Sequence, residues 1–183
     1  MLFLSQTLLL MKKLFGILVC ALLLSSCDDG EIVLQSFNFD TVAIQKCSDK
    51  EVLFKINKDE MLLLDIPSVY FPNEITPDGE PRIVTISSIN RVLYRKYSGN
   101  VSNSSICDDV PPASPIVSNE WTAANGGTVE IITTAITVTD EITGEVTTTG
   151  YNHQIRFINV QFVGSNDSFV FEEYLFGTYT TTL

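Results

Sequence analysis

An alternation of period two constrains this chain most. Val52, Phe54 and Ile56 alternate with Leu53, Lys55 and Asn57, and Leu62, Leu64 and Ile66 repeat the pattern before Pro67 ends it. Successive strand side chains point to opposite faces, so the pattern describes strands with one face buried. Asn57-Lys58-Asp59-Glu60 makes a hairpin turn between the two runs. Phe37 and Phe39 add bulk from an expected first strand that begins near Ile32. Residues 128–139 and the chain from Val146 onward form a large hairpin about residues 140–145 with Gly144, and residues 169–180 close the chain as a last strand. Ile158, Val160 and Phe162 run on the opposite phase to Ile155 and Phe157, which predicts a β-bulge near Phe157.

Residues 82–97 fit two patterns. Ile89, Val92, Leu93 and Lys96 have helical spacing, with Ser87 or Ser88 as a cap and Gly99 beyond, while Val92, Tyr94 and Lys96 alternate. The β-branched and aromatic content favours two strands. Thr76-Pro77-Asp78-Gly79 is a turn, because proline presets φ and glycine tolerates positive φ. Residues 99–119 are irregular, with Pro111, Pro112 and Pro115 barring sheet pairing. The expected architecture is all-β: an immunoglobulin-like antiparallel β-sandwich of about eight strands, preceded by a cleaved N-terminal signal helix.

The signal assignment rests on residues 11–29. Lys12 and Lys13 precede an unbroken apolar run over residues 14–24, followed by Leu24-Ser25-Ser26-Cys27. That run is too short for the roughly 20 apolar residues a membrane span needs, and its layout is that of a secretory signal. Leu24, Ser25 and Ser26 resemble the peptidase recognition residues of a bacterial lipobox, with Cys27 as the residue that receives a thioether-linked diacylglycerol. Met11 is the expected start, since the ten residues before it carry no charge. The division is then residues 1–26 as signal peptide, 27–31 as a lipidated tether of at most about 18 Å, and 32–183 as a single domain.

Loss of Lys12 and Lys13 leaves nine basic residues against 22 acidic ones, a net charge of −13 for the mature chain. Such a field argues against nucleic acid as a partner and against direct adhesion to anionic lipid. Cys20 leaves with the signal and Cys27 takes lipid, so Cys47 and Cys107 form an even pair in an exported chain. A disulfide between them would pin the irregular loop in which Cys107 lies.

Catalytic provision is thin. His153 is the sole imidazole, on a strand beside Tyr151 and Gln154, where a structural role is expected. Glu172 and Glu173 are adjacent on a strand and so cannot face one another as an acid/base pair. Asp28/Asp29 and Asp140/Glu141 are further acidic pairs without a partner group. No catalytic residue and no metal site is assigned, and no cofactor is expected beyond the lipid on Cys27. Calcium at Asp108-Asp109 is one metal alternative, without EF-hand spacing, and a metal held by Cys47 and Cys107, without CxxC spacing, is another. Trp121, with Tyr94 and Tyr97 and further tyrosines at 70 and 151, is the candidate ligand platform for a sugar ring.

The lipobox, the acidic tail CDDGEI, the strand LFKIN, LYRKYSG and ICDDVPPASPIV together resemble uncharacterised lipoproteins of Bacteroidota, of flavobacterial type. The resemblance implies an outer-membrane lipoprotein on the cell-surface side, whereas the same Asp28 beside Cys27 would mean inner-membrane retention in enterobacteria. Asp40-Thr41-Val42 resembles the short O-glycosylation site of the same group. The expected role is a non-catalytic binding or structural module of the envelope, held to the membrane by its lipid and meeting an envelope protein or a glycan. The alternative is a glycan-binding accessory of a polysaccharide-uptake system.

Overall fold

The computed structural model describes residues 37–78 and 80–183. The expected signal helix, the start at Met11, the lipobox residues Leu24, Ser25, Ser26 and Cys27, the tether and Gly79 of the expected turn lie outside the described residues. Among the described residues there are nine strands: β1 Gln45–Lys46, β2 Val52–Asn57, β3 Glu60–Asp65, β4 Arg82–Thr85, β5 Arg91–Tyr97, β6 Val117–Ala123, β7 Thr128–Thr139, β8 Val146–Val163 and β9 Ser168–Thr182. Every pairing is antiparallel. The order is β1-β2-β3-β5-β6-β8-β7-β4, with β9 paired to β8. Phe162 of β8 pairs with Ala123 and Phe169, and Ile155 pairs with Ile131 and Gly177, so β6 and β7 share one edge of β8 in tandem and β9 takes the other. No helix among the described residues is long and apolar enough to cross a membrane.

The sheet folds over itself into a sandwich around one core. Leu53, Leu62, Leu64, Val92, Tyr94 and Trp121 from the β2-β3-β5-β6 layer share a buried cluster with Val129, Ile131, Ile155, Phe157, Phe162 and Phe176 from the β7-β8-β9 layer. Phe37 and Phe39 lie in irregular chain and not on the expected strand. Their rings still wedge between the layers: Phe37 is 4.6 Å from Phe171 and 5.0 Å from Tyr94, and Phe39 is fully buried.

The β2 strand forms, but the expectation of one buried face does not hold, because Leu53, Phe54 and Lys55 are all buried. Leu53 and Lys55 face the main core, pairing with Leu64 and Leu62. Phe54 lies on the opposite face with Leu63 and Leu93 in register, and both Phe54 and Leu93 are buried. Lys55 is only 2% exposed: its ammonium stands 5.6 Å above the Phe176 ring and donates to the Phe39 carbonyl at 2.8 Å. Burial lowers its pKa, and Asp40 opposes that shift.

Residues 82–97 form two strands, β4 and β5. Ser87 caps no helix; its hydroxyl accepts the Ile89 and Asn90 N–H groups, and its own N–H donates to the Asn90 carbonyl at 3.0 Å, which closes a tight turn. The phase change in β8 falls at Asn159, where φ is 51°, two residues past the expected place. A second bulge, at Gly177 of β9 with φ 132°, lies between Ile155 and Arg156 in register. The disulfide Cys47–Cys107 is formed, with Cα atoms 5.4 Å apart, and pins the loop through a four-residue helix, Ser104–Cys107.

Candidate functional site

At one end of the sandwich the two-residue β1, the start of β2 and the C-terminal part of β9 meet around a half-open cleft of about 130 Å³. Pro67 ends the β3 run and leads into the 3-10 turn Ser68–Tyr70, which carries Phe71 to the cleft. Leu53 and Ile66, each 2% exposed, make its floor. Phe71 and Tyr179 form an aromatic wall, edge to face with centroids 5.5 Å apart. Lys46 and Glu51 supply the charged groups of the lining. The Lys46 ammonium stands 5.9 Å above the Tyr179 ring. Glu51 accepts the Ser68 N–H at 2.8 Å. Hydrogen bonds from Ser68, with Lys46 adding attraction, hold its carboxyl below the usual carboxylate range.

His153 lies directly behind this wall, stacked on Tyr179 at 5.9 Å and edge-on to Phe71 at 5.5 Å, with no exposure. A directional hydrogen-bond chain fixes its tautomer. Arg82 Nη1 donates to Thr133 Oγ1 at 2.7 Å, and that hydroxyl lies 2.9 Å from His153 Nδ1. Thr181 gives its hydroxyl proton to Asn73 Oδ1 at 3.1 Å, so towards His153 it accepts, and Nε2 carries the proton and donates to Thr181 Oγ1 at 3.1 Å, which leaves Nδ1 of the neutral ring to accept from Thr133. Burial first, and the Arg82 charge second, push the imidazole pKa down. A neutral ring with both nitrogens engaged has no lone pair left for a nucleophile's proton or a metal. It positions Tyr179 and Thr181 instead.

The aromatic platform expected from Trp121, Tyr94 and Tyr97 is not formed. Trp121 is 6% exposed, stacked on a fully buried Tyr94 at 5.1 Å, and its Nε1 donates to Asp167 at 2.6 Å. Tyr97 is also buried, three residues past Tyr94 and beyond a register shift in the β5–β6 pairing. Strand register turned these rings inward, where core packing takes their faces. Asp109 pairs with Lys50 at 3.0 Å, and among the described residues no group of three or more His, Cys, Asp or Glu side chains converges as metal ligands. Glu172 and Glu173 are both exposed, because the phase change opposite Asn159 leaves neither in the core, and Glu173 binds Arg156 at 3.2 Å. Asp140 accepts the Ile142 and Thr143 N–H groups of its own turn, which lowers its pKa.

Sequence reasoning missed Lys46, Glu51, Phe71 and Tyr179. No local motif joins them; they come from four separate stretches that only the fold brings together. Comparison of the chain with protein-family models, with curated proteins and with solved structures finds no match.

Proposed function

We propose that this chain is a lipid-anchored outer-membrane lipoprotein, exposed on the cell surface, whose β-sandwich is a non-catalytic binding module. The observation that carries the binding role is the pairing of an open cleft with a sealed imidazole. The cleft offers apolar floor, aromatic wall and two charges. His153, the single histidine of the chain, sits behind it with both nitrogens committed. The envelope assignment is supported by Leu24-Ser25-Ser26-Cys27 after the apolar run, by the acidic residues that follow, and by the Cys47–Cys107 disulfide, a bond that persists in oxidising compartments. One acyl chain would bind reversibly, and two or three on Cys27 make release negligible.

Fractionation of cells tests this. The wild-type chain is expected in the outer-membrane fraction after a high-salt wash, and protease added to intact cells should remove it. Cys27→Ser should release the chain to the soluble fraction, and globomycin should block processing of the precursor. A Cys27→Ser chain that stays with membranes overturns the anchor, and a wild-type chain cut only after permeabilisation overturns the surface assignment.

A further inference from the structure

We propose that the cleft binds a free α-amino acid with an apolar side chain, a proposal that rests on the binding role given above. Size sets the first limit. At about 130 Å³ the space is well below the roughly 300–1,000 Å³ of pockets for drug-sized ligands, so the occupant is a group of side-chain size. The floor and wall are apolar: Leu53, Ile66, Phe71 and Tyr179 leave a ligand's buried end no hydrogen-bond partner except hydroxyls. The Thr181 hydroxyl is already engaged on both sides, by His153 and Asn73. A polar or charged buried end would therefore be desolvated without compensation.

The lining then selects the head group. Lys46 presents an ammonium over the Tyr179 ring, suited to a carboxylate. Glu51 is a fixed anion: Ser68 holds its carboxylate in place and ionised, and a carboxylate can accept more hydrogen bonds than the one from the Ser68 N–H. Two opposite charges beside an apolar recess match the ammonium and carboxylate of an amino acid above its side chain. Net charge disfavours the simpler ligand. The mature chain carries −13, and a free anion approaches against that field while a zwitterion does not.

Calorimetry on the full chain in detergent tests the proposal, with L-leucine and L-phenylalanine as probes. Leucinamide, which lacks the carboxylate, and 4-methylpentanoate, which lacks the amine, serve as controls. Both amino acids are expected to bind saturably, and each control about tenfold more weakly, the loss expected for one charge-assisted hydrogen bond. Lys46→Gln should erase the preference for leucine over leucinamide, and Glu51→Gln the preference over 4-methylpentanoate. Both positions are exposed, so both variants should fold. Absence of amino-acid binding at millimolar concentration overturns the proposal, and so does a 4-methylpentanoate affinity equal to that of leucine. A chain that binds no amino acid yet still fractionates with the outer membrane through Cys27 loses this ligand class alone.

Discussion

The two aromatic groups of this molecule are built from similar parts and do opposite things. Around Trp121 the rings of Tyr94, Phe169, Phe162 and Phe37 stack and interlock between the layers, and the one indole N–H is satisfied by Asp167. Around Tyr179 the rings of Phe71 and His153 pack as closely, yet one side stays open to the cleft. The difference lies in what covers each ring. The turn at residues 164–167 closes over Trp121 so tightly that a Cβ on Gly164 would lie 2.6 Å from the indole. Tyr179 lies past the Gly177 bulge, near the end of β9, where the covering strand β1 is only two residues long. A ring stays open to solvent where its cover runs out, whatever its chemical identity.

The largest expected effect breaks the sealed group. Trp121→Ala removes a buried indole and leaves Asp167 without its donor, so stability should fall by about 5 kcal/mol in denaturant unfolding, the upper end for such truncations. Leucine binding to the remaining folded fraction should be largely kept, because the rings stacked on Trp121, Tyr94 and Phe169, do not line the cleft. Next comes the disulfide. A loop of 60 residues is closed by Cys47–Cys107, and on the chain-entropy model its reduction should cost about 4 kcal/mol. Cys47 follows Lys46 directly, so reduction should also weaken leucine binding while the native fluorescence of Trp121 holds. If Trp121 emission shifted and binding did not, the separation of the two groups would be wrong.

The third prediction concerns pH. His153 has its pKa lowered in the folded chain from an ordinary value near about 6.5. Thr133 of β7, Thr181 and Tyr179 of β9, Phe71 and the Arg82 charge on β4 surround it, and none is an anion that would welcome a proton. The unfolded chain therefore binds more protons than the folded one as pH falls through 6.5, and stability is lost in that window. Glu51 and Asp140 also lose stabilisation on acidification, but only lower, because their folded pKa values are depressed below the carboxylate range. Urea midpoints between pH 7.5 and 5 should fall for the wild type and stay flat over the upper part of that range in His153→Gln. A wild-type midpoint that rose on acidification would mean that the imidazole is paired with an unseen anion.

Much of the fold was legible. The β2–β3 hairpin, the β7–β8 hairpin, the two strands across residues 82–97 and the Cys47–Cys107 bond follow from alternation, turn residues and cysteine parity. What failed did so at points where local pattern cannot see across the sandwich. Both phases of β2 are buried, so alternation could not reveal that Lys55 faces the main core; its head reaches Phe39 from 16 positions along the chain. Phe37 and Phe39 were legible as core and illegible as coil, because rings can fill a core from an irregular segment as well as from a strand. Trp121 was singled out for its rarity, a property of composition, whereas exposure is set by register. The cleft itself left no sequence mark, since each of its residues is ordinary in its own strand or turn.

The smallest expected effect separates the two groups most sharply. Lys46 is exposed on a two-residue edge strand and contributes one cation near one ring. Surface substitutions of this kind usually change stability by no more than about 0.5 kcal/mol, and an exposed cation–π contact adds little beyond that. Lys46→Gln should therefore unfold at the same denaturant midpoint as the wild type, within error, with Trp121 emission untouched. The same variant should lose the carboxylate contact in the cleft. A residue that is negligible for folding and decisive for a ligand marks a site, and one that is decisive for folding and silent toward ligand marks a core. If Lys46→Gln lowered the midpoint as far as loss of the disulfide does, the edge strand would be a structural clamp, and the open group would be only a thinner version of the sealed one.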